Sequence, residues 1–176
     1  MVLARHLYEL GHRRILRINQ KTATEERFHP GMDRFREFFR KEYPEVEVNE
    51  EAFIFEIPRY ELAHHTIYRE LIARRTMLRE YTAVICPLSY YWGAVAGLLD
   101  SGIRVPEDMS VLAFGDRQEA QFYRPRPAIL SVMMSDLALK ALELVRWREQ
   151  NPDSPARVLR FQSTWIAGET LAVAKS

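Results

Sequence analysis

Two apolar runs, Thr82-Ala83-Val84-Ile85-Cys86 and Met109-Ser110-Val111-Leu112-Ala113-Phe114, flank a Trp92–Leu99 segment and the turn Ser101-Gly102-Ile103-Arg104-Val105-Pro106-Glu107-Asp108. The order reads strand, helix, strand. Both runs are continuous rather than alternating, as expected of strands buried on both faces. Gly102 stands where a left-handed helix stop belongs, and Val105-Pro106 fixes the turn into the second strand. Such units join parallel strands through right-handed crossovers. The expected fold is therefore α/β, a parallel sheet with helices on both faces. Gly115-Asp116 then arrives at the carboxyl edge of the sheet, where ligands of such folds collect.

The same alternation extends upstream. Val2, Leu3, Leu7 and Leu10 have helical spacing, with Gly11 as the stop, and Arg14–Ile18 reads as a strand followed by a polar loop, 19–26. Met32, Phe35, Phe38 and Phe39 mark a second helix that Pro44 ends. Ala52–Phe55 suits another strand, and residues 60–80 another helix. Downstream the alternation stops. Residues 115–128 read as an ordered loop or crossover, Leu137, Ala141, Leu144 and Val145 as one more helix, and Asn151–Pro155 as a turn-rich linker. Val158–Phe161 and Thr164–Ile166 are candidate terminal strands.

Composition bounds the function. The 176 residues suffice for one ordinary domain, and 47% hydrophobic against 28% charged residues is a globular balance. With 25 basic and 24 acidic side chains the formal net charge is +1, so no basic face announces a nucleic-acid surface. Cys86 is the single cysteine, which excludes an internal disulfide and a multi-cysteine zinc site and fits a reducing cytoplasm. No apolar run is long enough to span a bilayer, so no membrane partner is expected.

Leu7-Tyr8-Glu9-Leu10-Gly11-His12-Arg13-Arg14-Ile15 is similar to the helix-to-strand segment of lactose-repressor/galactose-repressor-type sensors. The block from Thr82 to Asp116, with Gly93-Ala94-Val95 inside it, resembles that family's strand, helix and "GxxVPxDhSVhGFDD" sequence. Pro125–Val132 resembles the crossover that follows, and Ser135–Arg148 the helix returning to the other lobe. The resemblance implies the C-terminal part of a periplasmic-binding-protein-like type I sensor in a transcription regulator. It implies three parts: a C-terminal lobe over residues 1–127, a crossover and helix of the other lobe over 128–157, and returning strands over 158–176. Operator DNA would be read only by a helix-turn-helix head outside this sequence.

The resemblance also implies a ligand set. Arg27 corresponds to an arginine that grips sugar hydroxyls, though it lies four rather than three residues before Gly31. Cys86-Pro87-Leu88-Ser89 replaces an Asn-Asp pair, leaving Ser89 as donor or acceptor, and Gly115 replaces the first of two acidic residues, leaving Asp116. Tyr60 and Tyr90 could stack on an apolar sugar face. A solvated Arg, a structural Phe-Gly-Asp turn and core tyrosines are the plain alternatives. The effector is expected to be small and sugar-like. Family sensors also pair as homodimers through the helix after the Thr82 strand and the chain after the Phe114 strand. Tyr91, Trp92, Val95, Leu99, Phe122 and Tyr123 are the candidate contacts here.

Catalysis has little support. Adjacent His64 and His65 do not share a helix face, Ser89 lacks a Gly-x-Ser-x-Gly turn, Cys86 lies in a buried strand, and no phosphate-binding glycine fingerprint occurs. Neither cofactor nor metal is expected. A transport-type sugar-binding protein of the same fold is the alternative, disfavoured by the Val105–Val111 block.

Overall fold

The computed structural model describes residues 2–20, 30–49, 54–55, 62–131, 133–159, 161 and 163–175. The chain begins with α1 (Val2–Glu9), which buries Leu3, Ala4 and Leu7. It stops as the sequence predicts: Gly11 has φ +83°, and the Gly11 and His12 amides bond to the Tyr8 and Leu7 carbonyls. Then follow β1 (Arg14–Arg17), β2 (Asn19–Gln20), α2 (Pro30–Glu42), β3 (Glu47–Asn49), β4 (Ile54–Phe55), α3 (Ala63–Ala73) and α4 (Arg75–Leu78). The decisive stretch forms β5 (Ala83–Pro87), a 3-10 turn (Leu88–Tyr90), α5 (Tyr91–Asp100) and β6 (Ser110–Gly115). The remainder forms α6 (Arg117–Ala120), β7 (Ala128–Ser131), α7 (Met134–Gln150) and β8 (Thr164–Ile166).

The main sheet has strand order β3-β1-β5-β6-β7-β8, and only β8 runs antiparallel. Strand periodicity divides its residues between two cores. Leu16, Val84, Cys86, Val111 and Ala113 face α3 and α5. Ile15, Ala83, Ile85 and Leu112 face α1 and α2. Both faces are thus covered, which explains why β5 and β6 are apolar throughout. Helices α3 and α5 pack closely because α5 carries Gly93 and Gly97: a Cβ on Gly93 would fall 2.0 Å from the His64 carbonyl oxygen.

Several expectations need correction. The outer neighbour of β1 in the main sheet is Glu47–Asn49, a short, partly exposed edge strand with no apolar run to betray it. Ile54–Phe55 pairs instead with Asn19–Gln20 in a separate two-stranded sheet, within what reads as a polar loop; Ala52 and Phe53 lie outside the described residues. The helix expected over 60–80 breaks at Arg74. Ala128–Ser131 is a full strand of the main sheet, so a lobe boundary after residue 127 cuts that sheet, and the chain leaves it only beyond Ser131. Val158, Leu159 and Phe161 are exposed and form no strand.

The last residues strap the amino-terminal edge of the sheet. Buried Thr170 donates its hydroxyl to the Val111 carbonyl and accepts from the Ala128 amide, while its own carbonyl accepts from the Val111 amide. Ser110 Oγ accepts from the Ala172 amide, and the Ala174 amide reaches the Leu10 carbonyl. Gly168 permits the crossing, since a Cβ there would meet the Pro127–Ala128 backbone at 2.2 Å.

Candidate functional site

Parallel strands release their loops at the carboxyl edge, and register decides which loops meet. Pro87 pairs with Phe114, and Gly115 with Ser131. The Leu88–Tyr90 turn, Gly115-Asp116 and the end of β7 therefore adjoin. Ser89 is exposed on that turn. Asp116 is partly exposed and caps α6, its Oδ1 accepting from the Gln118 amide at 2.8 Å. Buried Ser131 accepts from the Arg117 amide at 3.2 Å. Ser89 and Asp116, predicted from sequence, thus lie on adjacent loops at one edge.

Tyr90 has a different position. Its ring is part of the α3–α5 core, and burial raises its phenol above the ordinary tyrosine range. Arg27 and Tyr60 fall outside the described residues.

Leu88 and Gly115 explain the two departures from the family pattern together. A Cβ on Gly115 would lie 2.7 Å from Leu88 Cβ, so the buried Leu88 side chain occupies the space an acidic residue at 115 would need. One apolar contact stands where two polar positions were expected. Arg17, the last residue of β1 and absent from the sequence-predicted set, is buried at the same edge. Its one local signal is a charge inside the run Ile15-Leu16-Arg17-Ile18, masked by apolar neighbours.

The dimer candidates divide into two groups. Tyr91 and Val95 lie in the core of the lobe itself, against the expectation that they meet a partner. The Tyr91 hydroxyl donates to the Pro125 carbonyl, and burial raises its phenol strongly. Helical geometry explains the correction, because positions 91, 94, 95 and 98 share the face against the sheet. Trp92 and Leu99 are 45% and 50% exposed, and Phe122, just beyond α6, is 75% exposed. Tyr123 is half-buried, stacked on Tyr91 with ring centroids 5.5 Å apart, 5.2 Å from the Trp92 ring, and donates its hydroxyl to Glu119.

Burial pushes the Cys86 thiol up to about 12, so it stays protonated and unreactive at neutral pH. Among the described residues no group of three or more His, Cys, Asp or Glu could hold a metal ion, and no helix is long and apolar enough to cross a membrane.

Comparison with known proteins agrees with this geometry. The model of the periplasmic binding protein-like domain matches residues 4–171. A LacI family transcriptional regulator from Bifidobacterium animalis subsp. lactis superposes with a TM-score of 0.79 at 19% identity over 99% of this chain and 60% of its own. Another, from Enterococcus faecalis with bound ribose, gives 0.75 at 18% identity over 98% of this chain and 59% of its own. The ribose operon repressor of Haemophilus influenzae is 25% identical over 79 residues, 45% of this chain and 24% of that protein. The chain thus spans about 60% of the length of these solved relatives, and its matched segment about a quarter of the curated one. At these identities the solved structures establish a shared fold. With the family model matched over almost its whole length, this chain belongs to the periplasmic-binding-protein-like domain family.

Proposed function

We propose that the chain is the effector-sensing lobe of a LacI-type transcription regulator and that its carboxyl edge recognises a small sugar-like molecule. The observation carrying this reading is the convergence of Ser89, Asp116 and Ser131 at adjacent strand ends, on a fold shared with a regulator that holds ribose. Hydroxyl and carboxylate groups suit polyol recognition. Differential affinity of the effector for two lobe arrangements would convert binding into a regulatory signal. Contact with operator DNA is assigned to residues of an intact regulator other than these, whose formal net charge is +1. Helix α7 is assigned to a second lobe, since none of its residues is buried against this one.

Titration with ribose and a panel of pentoses and hexoses, followed by amide NMR, tests the sensing role. One lobe buries less of a ligand than a closed cleft, so weak binding is expected, saturating below roughly 50 mM. Shifts should concentrate at Leu88–Tyr91, Gly115–Gln118 and Ser131. Shifts elsewhere, or none with any sugar, would overturn the assignment.

The lobe is further proposed to form a homodimer through Trp92, Leu99 and Phe122, with Tyr123 at the margin. Trp92, Ala96 and Leu99 recur at i, i+4 and i+7 on the exposed side of α5, an apolar stripe opposite the core face. Leu99→Glu and Phe122→Glu should each weaken the dimer by about 1–3 kcal/mol in sedimentation equilibrium without unfolding the lobe. A monomeric wild-type mass at tens of micromolar, or a dimer indifferent to both substitutions, would refute this surface.

A further inference from the structure

At the opposite pole, where the strands begin, a cleft of about 250 Å3 opens between the start of β1, the end of α4 and the loop leading into β6. Arg14, Arg79, Tyr81, Thr82, Asp108 and Lys175 supply its polar lining. Its one carboxylate, Asp108, is already neutralised. Arg104 holds it through Nε at 2.7 Å and Nη2 at 2.9 Å, Lys175 through Nζ at 2.6 Å, and the Arg104 amide at 3.0 Å. These donors keep the Asp108 carboxyl far below the usual carboxylate range. Glu47 and Glu80, the other carboxylates close to Tyr81, are exposed and do not line the cleft.

Two guanidinium groups remain. Neither Arg14 nor Arg79 has a side-chain hydrogen bond or ion pair among the described residues. Arg79 leans over the Gly102 turn, its Nη2 3.8 Å from where a Cβ on that glycine would stand. Like charges lining one cleft repel, and an anion removes that cost. Each guanidinium offers a planar fork of donors that matches the oxygens of a phosphoryl group.

We propose that this cleft binds a small dianion of the phosphate-monoester class between Arg14 and Arg79. Two guanidinium groups with no bonded carboxylate among the described residues match two negative charges, whereas a monocarboxylate leaves one unmatched. The volume lies below the roughly 300–1,000 Å3 of drug-sized ligand pockets, so the occupant is a phosphate-sized group. Because Lys175, at the end of the strap, lines the cleft, binding would tie the C-terminal segment to α4 and β1. The site is separate from the carboxyl edge and does not depend on the sugar-sensing role.

Inorganic phosphate, titrated into the full chain at constant ionic strength and followed by amide NMR, is the test, with acetate in parallel. Phosphate should bind saturably in the millimolar range, shifting Arg14, Arg79, Thr82, Ile103–Met109 and Lys175 but leaving Ser89 and Asp116 unmoved. Arg14→Gln with Arg79→Gln should weaken it about tenfold or more, Arg79→Lys should weaken it less, and Arg36→Gln on α2 should have no effect. Both target side chains are exposed, so the variants should match wild type in thermal unfolding. Non-saturable shifts, equal affinity for acetate, or indifference to both Arg79 substitutions would overturn the proposal.

Discussion

Gly115 owes its identity to one neighbour. Because its would-be Cβ lies 2.7 Å from Leu88 Cβ, Gly115→Ala should destabilise the lobe by about 1–3 kcal/mol in urea unfolding. Adding Leu88→Ala should recover about 1 kcal/mol or more of that loss relative to additivity, and strict additivity would show that the two side chains do not compete. His12 is likewise defined by its surroundings. It is buried, with Nε2 3.0 Å from the Ala172 carbonyl oxygen and Nδ1 3.0 Å from Thr82 Oγ1. A carbonyl only accepts, so the neutral ring donates from Nε2 and accepts at Nδ1. Burial lowers its pKa first, and Arg13 adds to the effect, against the opposing pull of the Ala172 carbonyl. A histidine depressed in the folded state is neutral in both states well above the ordinary imidazole pKa of about 6.5, so it costs nothing there. As pH falls through that value the unfolded chain takes up a proton that the folded chain resists, and stability drops. His12→Gln should therefore flatten the decline of the urea midpoint between pH 7 and 5; an unchanged slope would remove His12 as its source.

Contact between α3 and α5 sets a competition between propensity and packing. Gly→Ala inside a helix gains about 1 kcal/mol, but a Cβ on Gly93 meets the His64 backbone at 2.0 Å, and backbone cannot step aside as a side chain can. Packing wins at that position, and Gly93→Ala should cost about 2 kcal/mol or more net. At Gly97 the nearest atom is Leu71 Cβ at 3.0 Å, so Gly97→Ala should stay within about 1 kcal/mol of wild type; comparable losses at both positions would refute this ordering. Sequence spacing identified α5 but not which of its apolar residues faced the core, because every position from Tyr91 to Leu99 is apolar or glycine. Spacing alone therefore does not separate Tyr91 and Val95, which are buried, from Trp92 and Leu99, which are exposed. Buried strands such as β5 and β6 announce themselves, since both faces demand apolar side chains. Edge strand β3 does not, because its Glu47-Val48-Asn49 is half solvated and its partner is specified by topology. At the candidate site, strand register places Ser89 and Asp116 on adjacent loops at one edge, whereas the Leu88–Gly115 contact spans residues 27 positions apart and leaves no local pattern to read.

Residues beyond Ser131 depart from the lobe and then return to it. Helix α7 spans 17 residues without one buried, and Met134, Leu139, Leu142 and Val145 are exposed on it, as are Val158, Leu159 and Phe161 after it. With no residue fully buried, α7 exchanges little packing energy with the lobe. Local ties shape the excursion instead: Asn151 Nδ2 donates to the Trp147 carbonyl, Arg148 to the Pro152 and Ser154 carbonyls, and Arg157 lies 4.0 Å over the Trp147 ring. The lobe's contacts resume with β8, which pairs Thr164 directly opposite Ser131. Two directly paired antiparallel residues can be joined by a two-residue turn, and Asn-Gly favours the required backbone. Replacing residues 132–163 with Asn-Gly should therefore leave the main sheet intact as a β7–β8 hairpin. Thermal unfolding should shift by no more than about 3 °C, since none of the described residues removed is buried. Removing the exposed apolar side chains should also lower nonspecific association at tens of micromolar, seen as a narrower mass distribution by light scattering. In the unmodified chain, amides of α7 should exchange with deuterium far faster than those of β5 and β6. A shortened chain that fails to fold, or an α7 protected as strongly as the sheet, would show that the helix draws stability from contacts with the lobe.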